Sequence, residues 1–141
     1  DIIRSARLLN ASMPDRLVAQ AEGLLGDLRG LTAVVLGASY RGGVKETAFS
    51  GVFPTVAALQ ARGAQVSVHD PLYTDDELTA LGFRAHTLGQ PVDLAIIQTD
   101  HLAYRSLTPA DLPQIRLLVD GRNTTDATSW SGTPRIVVGG G

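Results

Sequence analysis

Leu31-Thr32-Ala33-Val34-Val35-Leu36-Gly37-Ala38-Ser39-Tyr40-Arg41-Gly42-Gly43-Val44-Lys45-Glu46-Thr47 is the stretch on which the fold turns. Its first part, Leu31–Leu36, is a continuous apolar run that ends at Gly37. A strand covered on both faces reads this way, because neither face has to alternate toward water. The rest is a long, glycine-rich connection. Beyond it, Gly51–Ala61 carries Val52, Phe53, Val56, Ala57 and Leu59 at helical spacing, with Gly63 placed to cap the helix end. Strand, loop and helix in this order open a βαβ unit.

The same alternation continues toward the C-terminus. Gln65–Val68 reads as a second strand running into His69-Asp70-Pro71. Thr74-Asp75-Asp76-Glu77 is a capping box, and the helix it starts stops at Gly82. Phe83–His86 reads as a short strand. Leu94–Ile97 reads as a buried strand, followed by Asp100 and a short helix. Thr108-Pro109-Ala110-Asp111 begins another helical turn, and Leu117–Val119 and Ile136–Val138 are the last strands. Strands separated by helices predict an α/β fold with a Rossmann-like, doubly wound, mainly parallel sheet.

Toward the N-terminus the texture differs. Ile2, Ile3, Ala6, Leu8 and Leu9 form an apolar helical face, which Asn10–Pro14 is expected to interrupt. Ser12 then caps a second helix with Pro14 in its first turn, where a missing N–H costs nothing. Leu17, Val18, Ala21, Leu24, Leu25 and Leu28 carry that helix onward. A connector between domains and an N-terminal helical hairpin fit this pattern equally. The division expected is a helical connector over residues 1–29 and an α/β domain over residues 30–141.

Composition narrows the function classes. The chain has 141 residues, 44% hydrophobic and 18% charged, which is ordinary for one globular domain with a real core. There is no cysteine, which removes disulfides, thiolate metal sites and thiol catalysis from this chain. The net charge of −2 and the lack of a basic stripe argue against a nucleic-acid partner. No apolar run approaches the roughly 18 residues of a membrane span. The chain begins at Asp1 with no signal-peptide pattern, so a piece of a longer, cytoplasmic protein is expected. His69, His86 and His101 lack metal-ligand spacing, and the serines lack a G-x-S-x-G elbow. Neither a metal nor a catalytic residue is expected.

In a doubly wound sheet, ligands gather beyond the carboxyl ends of the strands. That directs attention to residues 37–51, 69–73, 98–104 and 120–126. The first of these loops is glycine-rich yet fits neither common phosphate fingerprint. G-x-G-x-x-G needs glycine where Ser39 stands, and the P-loop needs lysine where Gly43 stands. Arg41, with Lys45 in support, suits an anion site, and a solvated surface loop fits the same residues. Tyr40 suits stacking on a base or packing over the sheet end. Asp120 is placed to tie its loop to backbone N–H groups, and Arg122 to join Arg41 on an anionic ligand. The alternative for Arg122 is an ordinary turn. Asp70 suits a ribose or, more readily, a cap on the next turn. For His101, next to Asp100, a proton-transfer role is the weaker reading. Trp130 is expected over a core edge.

Three motifs in order, V-V-L-G-A-S-Y-R-G-G-V-K-E-T-A-F-S-G, then A-A-L-Q-A-R-G-A-Q-V-S-V-H-D-P, then L-L-V-D-G-R-N, resemble the C-terminal domain of the UDP-glucose/GDP-mannose dehydrogenase family, and its UDP-N-acetylmannosamine branch most. The leading A-R-L-L-N-A-S-M-P-D-R-L-V is similar to the end of that family's central dimerisation helix. The resemblance implies an NAD-binding Rossmann domain and a dimer-forming region outside this chain, hence a homodimer in the full-length enzyme. It implies a UDP-sugar held here, with its C6 alcohol oxidised to a carboxylate in two NAD-dependent steps through a cysteine. Tyr40-Arg41 stand where the family commonly has a nucleotide-contacting Phe-Lys. Asp120-Gly121-Arg122 match its D-G-R, and Asp70-Pro71 its D-P. Lys45-Glu46 replace a frequent Asp-Asp and Ala48 a frequent arginine, so sugar preference does not carry over. On this resemblance the chain is a UDP-sugar-binding portion that is not itself catalytic. The alternatives are a Rossmann-like module binding another nucleotide, such as NAD, or a purely structural domain.

Overall fold

The computed structural model describes residues 2–48 and 50–138. The elements are α1 (Ile2–Leu25), β1 (Thr32–Leu36), α2 (Val52–Ala61), β2 (Gln65–His69), α3 (Asp75–Ala80), β3 (Leu94–Ile97), β4 (Leu117–Asp120) and β5 (Arg135–Val137), with 3-10 turns at Leu102–Ser106 and Pro109–Asp111. The strands form one sheet in the order β2-β1-β3-β4-β5, and every pairing is parallel. The α/β, Rossmann-like expectation holds.

Alternation along the strands divides the core in two. Ala33 and Val35 of β1, Leu94 and Ile96 of β3, and Leu117 and Val119 of β4 face one side, against Val18 and Ala21 of α1 and Val52, Val56 and Leu59 of α2. Val34, Leu36, Ala95, Ile97 and Leu118 face the other, against Tyr104, Leu107, Leu112 and Trp130. The second face is therefore closed by 3-10 turns and one tryptophan rather than by long α-helices. Trp130 is buried in it, and its Nε1–H donates to the Leu107 carbonyl at 3.0 Å, which satisfies the indole inside the core.

Two local expectations change. The interruption at Asn10–Pro14 is absent: α1 runs from Ile2 to Leu25 with Pro14 inside it. Proline removes one helical N–H donor, and burial of Leu17, Val18 and Ala21 downstream holds the axis in place. The side chains of the apolar face proposed for residues 2–9 lie outside those described. The strand expected at Phe83–His86 shrinks to one bridge, Ala85 beside Val68. The capping boxes at Thr74/Glu77 and Thr108/Asp111 both form, and Gly63 takes the positive φ that ends α2.

Register sets up the site. Leu36 pairs with His69 on one side and Ile97 on the other, and Ile97 pairs with Asp120. Four strand ends thus lie in one row. From β1 the chain moves outward to β2, then returns to place β3 on the opposite side of β1. The order reverses between β1 and β3, so the loops after them diverge and leave a crevice.

Candidate functional site

The loop after β1 occupies that crevice, and its conformation is dictated from outside itself. Asp70, at the end of β2, reaches under it. Asp70 Oδ2 accepts from the N–H groups of Ala38 (2.7 Å) and Ser39 (3.1 Å) and from Ser39 Oγ (3.2 Å), while Oδ1 accepts from Leu72 N–H at 2.8 Å. His101 Nε2 lies 2.8 Å from the same Oδ2, and Nδ1 of that ring accepts the Gly43 N–H at 3.2 Å. Because Nδ1 accepts, Nε2 carries the proton and donates to Asp70. Burial alone raises the Asp70 pKa, but hydrogen bonds from His101 and from the Leu72 and Ala38 backbone outweigh it and hold the carboxyl below its ordinary range.

Further anchors follow along the loop. Asp100 Oδ1 accepts the Gly42 N–H at 2.8 Å, and Gly42 is packed so closely on Asp100 that a Cβ would collide with its carbonyl. Ser39 O accepts from Thr99 Oγ1 at 2.8 Å. Lys45 is paired with Glu77 of α3 and lies over the Tyr73 ring, 5.2 Å from its centroid. Between these anchors Tyr40 and Arg41 stand exposed, Tyr40 at 55%. Among the described residues neither side chain has a hydrogen bond, ion pair or ring contact.

On the other side of β3, Asp120 organises the D-G-R-N turn. Its carboxylate accepts from the N–H groups of Arg122, Thr124 and Thr125 and from Thr125 Oγ1. Arg135 adds an ion pair at 3.8 Å. Gly121 sits where a Cβ would meet the Ile97 carbonyl at 2.9 Å, so this turn packs on β3 only without a side chain there. The turn aims Arg122 back toward the crevice, its Nη2 3.6 Å from Asp100 Oδ2. One carboxylate therefore touches both the glycine loop and Arg122. Asp100 titrates below its ordinary value, first because of the Gly42 N–H and then, against some desolvation, because of the Arg122 charge.

The residues singled out from sequence therefore separate. Arg122 lies beside Asp100 at the crevice, and Tyr40 and Arg41 stand exposed on the loop after β1. Asp70 and Asp120 are fully buried and spend their oxygens on the fold. Lys45 is drawn aside to Glu77. The helix read at Gly51–Ala61 begins at Val52, whose N–H is already taken by Ser50 Oγ at 3.1 Å. Sequence reasoning passed over Asp100, His101 and Thr99 as loop anchors. Their signal was position, directly after the buried run Leu94–Ile97, which switch-point geometry sets beside β1.

The residues present do not fit a dinucleotide cofactor. Ser39 occupies the place of the fingerprint's second glycine, with its hydroxyl on Asp70, and the Asp70 carboxylate that would hold a ribose is enclosed. Among the described residues no cluster of histidine and acidic groups fits a metal, and no helix is long and apolar enough to cross a membrane.

The all-parallel sheet with its order reversing between β1 and β3 defines an α/β domain of Rossmann-like type. Residues 34–127 match the UDP binding domain of the UDP-glucose/GDP-mannose dehydrogenase family, and the chain belongs to that family. The UDP-N-acetyl-D-mannosamine dehydrogenase of Methanococcus vannielii is 26% identical over 91% of this chain and 31% of its own length. The chain spans about a third of the curated relatives it matches. Among solved structures, a UDP-glucose dehydrogenase from Pyrobaculum islandicum superimposes with TM-score 0.76 at 27% identity, over 96% of this chain and 31% of that one. The UDP-N-acetyl-mannosamine dehydrogenase from Staphylococcus aureus gives TM-score 0.77 at 22% identity, over 96% and 33%, which speaks for the fold.

Proposed function

We propose that the crevice between β1 and β3 holds the UDP part of a nucleotide sugar. Arg41 and Arg122 bind the diphosphate, and Tyr40 lies against the nucleoside. One observation carries this reading. The loop is fixed on Asp70, His101, Asp100 and Glu77, while the Tyr40 and Arg41 side chains on it have no partner among the described residues. A receptor ordered before its ligand arrives loses less entropy on binding. A guanidinium matches a diphosphate with paired, charge-assisted hydrogen bonds.

The reading extends to the longer protein. The relatives' names support a dehydrogenase acting on a UDP-sugar of the UDP-N-acetylmannosamine type, and the family resemblance extends this proposal to an NAD-dependent oxidation of the C6 alcohol by a cytoplasmic homodimer. NAD and the nucleophile belong to the parts outside this chain, which has no cysteine. Residues 1–29 serve as the link to the dimer-forming region, and residues 30–141 as the UDP domain.

Calorimetric titration of the 141-residue chain with UDP and with NAD tests the proposal. Saturable UDP binding with no NAD binding is expected. Preferential NAD binding would overturn it in favour of a dinucleotide module. No thermal protection by any nucleotide would favour a structural domain.

A further inference from the structure

We infer that Asp100 is the positioning residue of this site, the carboxylate that sets the Gly42 backbone and the Arg122 guanidinium as one receptor for a diphosphate. The inference rests on the reading above. Asp100 lies three residues beyond the end of β3 at Ile97, between the glycine loop and the D-G-R turn. Oδ1 holds Gly42 N–H at 2.8 Å and Oδ2 faces Arg122 Nη2 at 3.6 Å. The two groups belong to segments far apart in sequence, and this one side chain links them.

Two opposite effects of Asp100 on an anionic ligand have to be weighed. A carboxylate near a diphosphate repels it. Yet the carboxylate is 45% and the guanidinium 40% exposed, and between exposed charges water and salt weaken such repulsion strongly. Arg122 also neutralises the charge locally. Holding the arginine works the other way. An exposed guanidinium on a long chain has many rotamers, and ordering it in advance removes that loss from the binding step. The Gly42 contact adds to this, because close packing on the Asp100 carbonyl makes loop tip and carboxylate shift together. Screening weakens the repulsion and the hold on Arg122 alike, so the Gly42 contact decides the sign, and removing Asp100 frees the loop tip and weakens diphosphate binding.

The test uses the full chain with Asp100→Asn and Asp100→Ala, UDP calorimetry and the Gly42 amide signal in nitrogen-15 NMR. Asparagine keeps an acceptor for the Gly42 N–H and loses the charge opposite Arg122. Asp100→Ala should weaken UDP about two- to fivefold, the scale of an exposed ion pair, and Asp100→Asn should recover part of that loss. In wild type the Gly42 signal should follow the carboxyl as it titrates below the ordinary carboxylate range, and in Asp100→Asn it should stay flat. Arg122→Ala should cost less in the Asp100→Ala background than in wild type, the mark of coupled residues. Unchanged or tighter UDP binding by both variants, or strict additivity with Arg122→Ala, would overturn the inference while leaving UDP binding intact. Wild type that does not bind UDP at all would overturn the functional reading, and this inference with it.

Discussion

The two arginines proposed to meet the diphosphate, Arg41 and Arg122, stand under different constraints. Arg41 has no partner among the described residues, whereas Arg122 stands 3.6 Å from Asp100 Oδ2. Removing either should weaken UDP roughly tenfold or more, since charge-assisted contacts contribute about 1.5–3 kcal/mol and 1.4 kcal/mol is a factor of ten. Arg41→Lys should fall between wild type and Arg41→Ala, because it keeps the charge and loses the fork. Calorimetry on the variants decides this, and equal affinity for Arg41→Ala and wild type would remove Arg41 from the site. Asp70 belongs to the same scale with another role. Asp70→Asn retains the shape but not the charge that gathers Ala38, Ser39 and His101, so denaturant unfolding should show a loss of about 1–3 kcal/mol. The sequence left Asp70 between ribose ligand and cap. Its cap on Leu72 is two residues away and was legible. Its bonds to residues 38, 39 and 101 span more than thirty positions, and no local pattern encodes them.

At the scale of elements, local chemistry was readable and packing was not. The Thr74/Glu77 capping box is a contract between neighbours, so four letters predict it. Thr74→Ala should cost about 1 kcal/mol through the lost Glu77 N–H bond, and an unchanged urea midpoint would contradict that. The strand Leu94–Ile97 was legible because a continuous apolar run has few other uses. The turns after β3 were legible as a short helix beyond Asp100 and a helical turn at Thr108–Asp111, but not that Tyr104, Leu107 and Leu112 close the second face of the core. The glycine pair separates two kinds of constraint. Gly43 has φ +77 with open space around its Cβ position, so Gly43→Ala meets backbone strain alone, about 1 kcal/mol. Gly42→Ala meets the Asp100 backbone and has to displace the loop tip. It should lower UDP affinity more than Gly43→Ala does, and the reverse order would show that the tip does not bear on the ligand.

Over the whole molecule, α1 and the histidines tie stability to the same sheet that presents the site. Leu17 and Val18 of α1 are buried in the core shared with α2, β3 and β4, so the helix is part of what holds the strand ends level. Acid tests the other half of that framework. Burial depresses the pKa of His69, with Asp70 and Asp75 pulling weakly the other way and His86 and His101 adding to the effect. Burial depresses His86 as well, whose Nε2 has no hydrogen-bond partner among the described residues. Both rings are held neutral in the folded state and take up protons near pH 6.5 when unfolded. Their stabilisation is complete above about pH 6.5 and is lost as the pH falls toward the depressed folded values, because the unfolded chain then binds more protons. Asp70 acts lower on the scale. Its carboxyl is held below the ordinary range, so its contribution persists above about pH 4 and fades only beneath it. Denaturant midpoints should therefore be flat from pH 8 to 7, drop between pH 6.5 and 5, and drop again below 4. His86→Gln should shrink the first drop and leave the second. A midpoint unchanged between pH 7.5 and 5 would mean that neither histidine is held neutral by the fold.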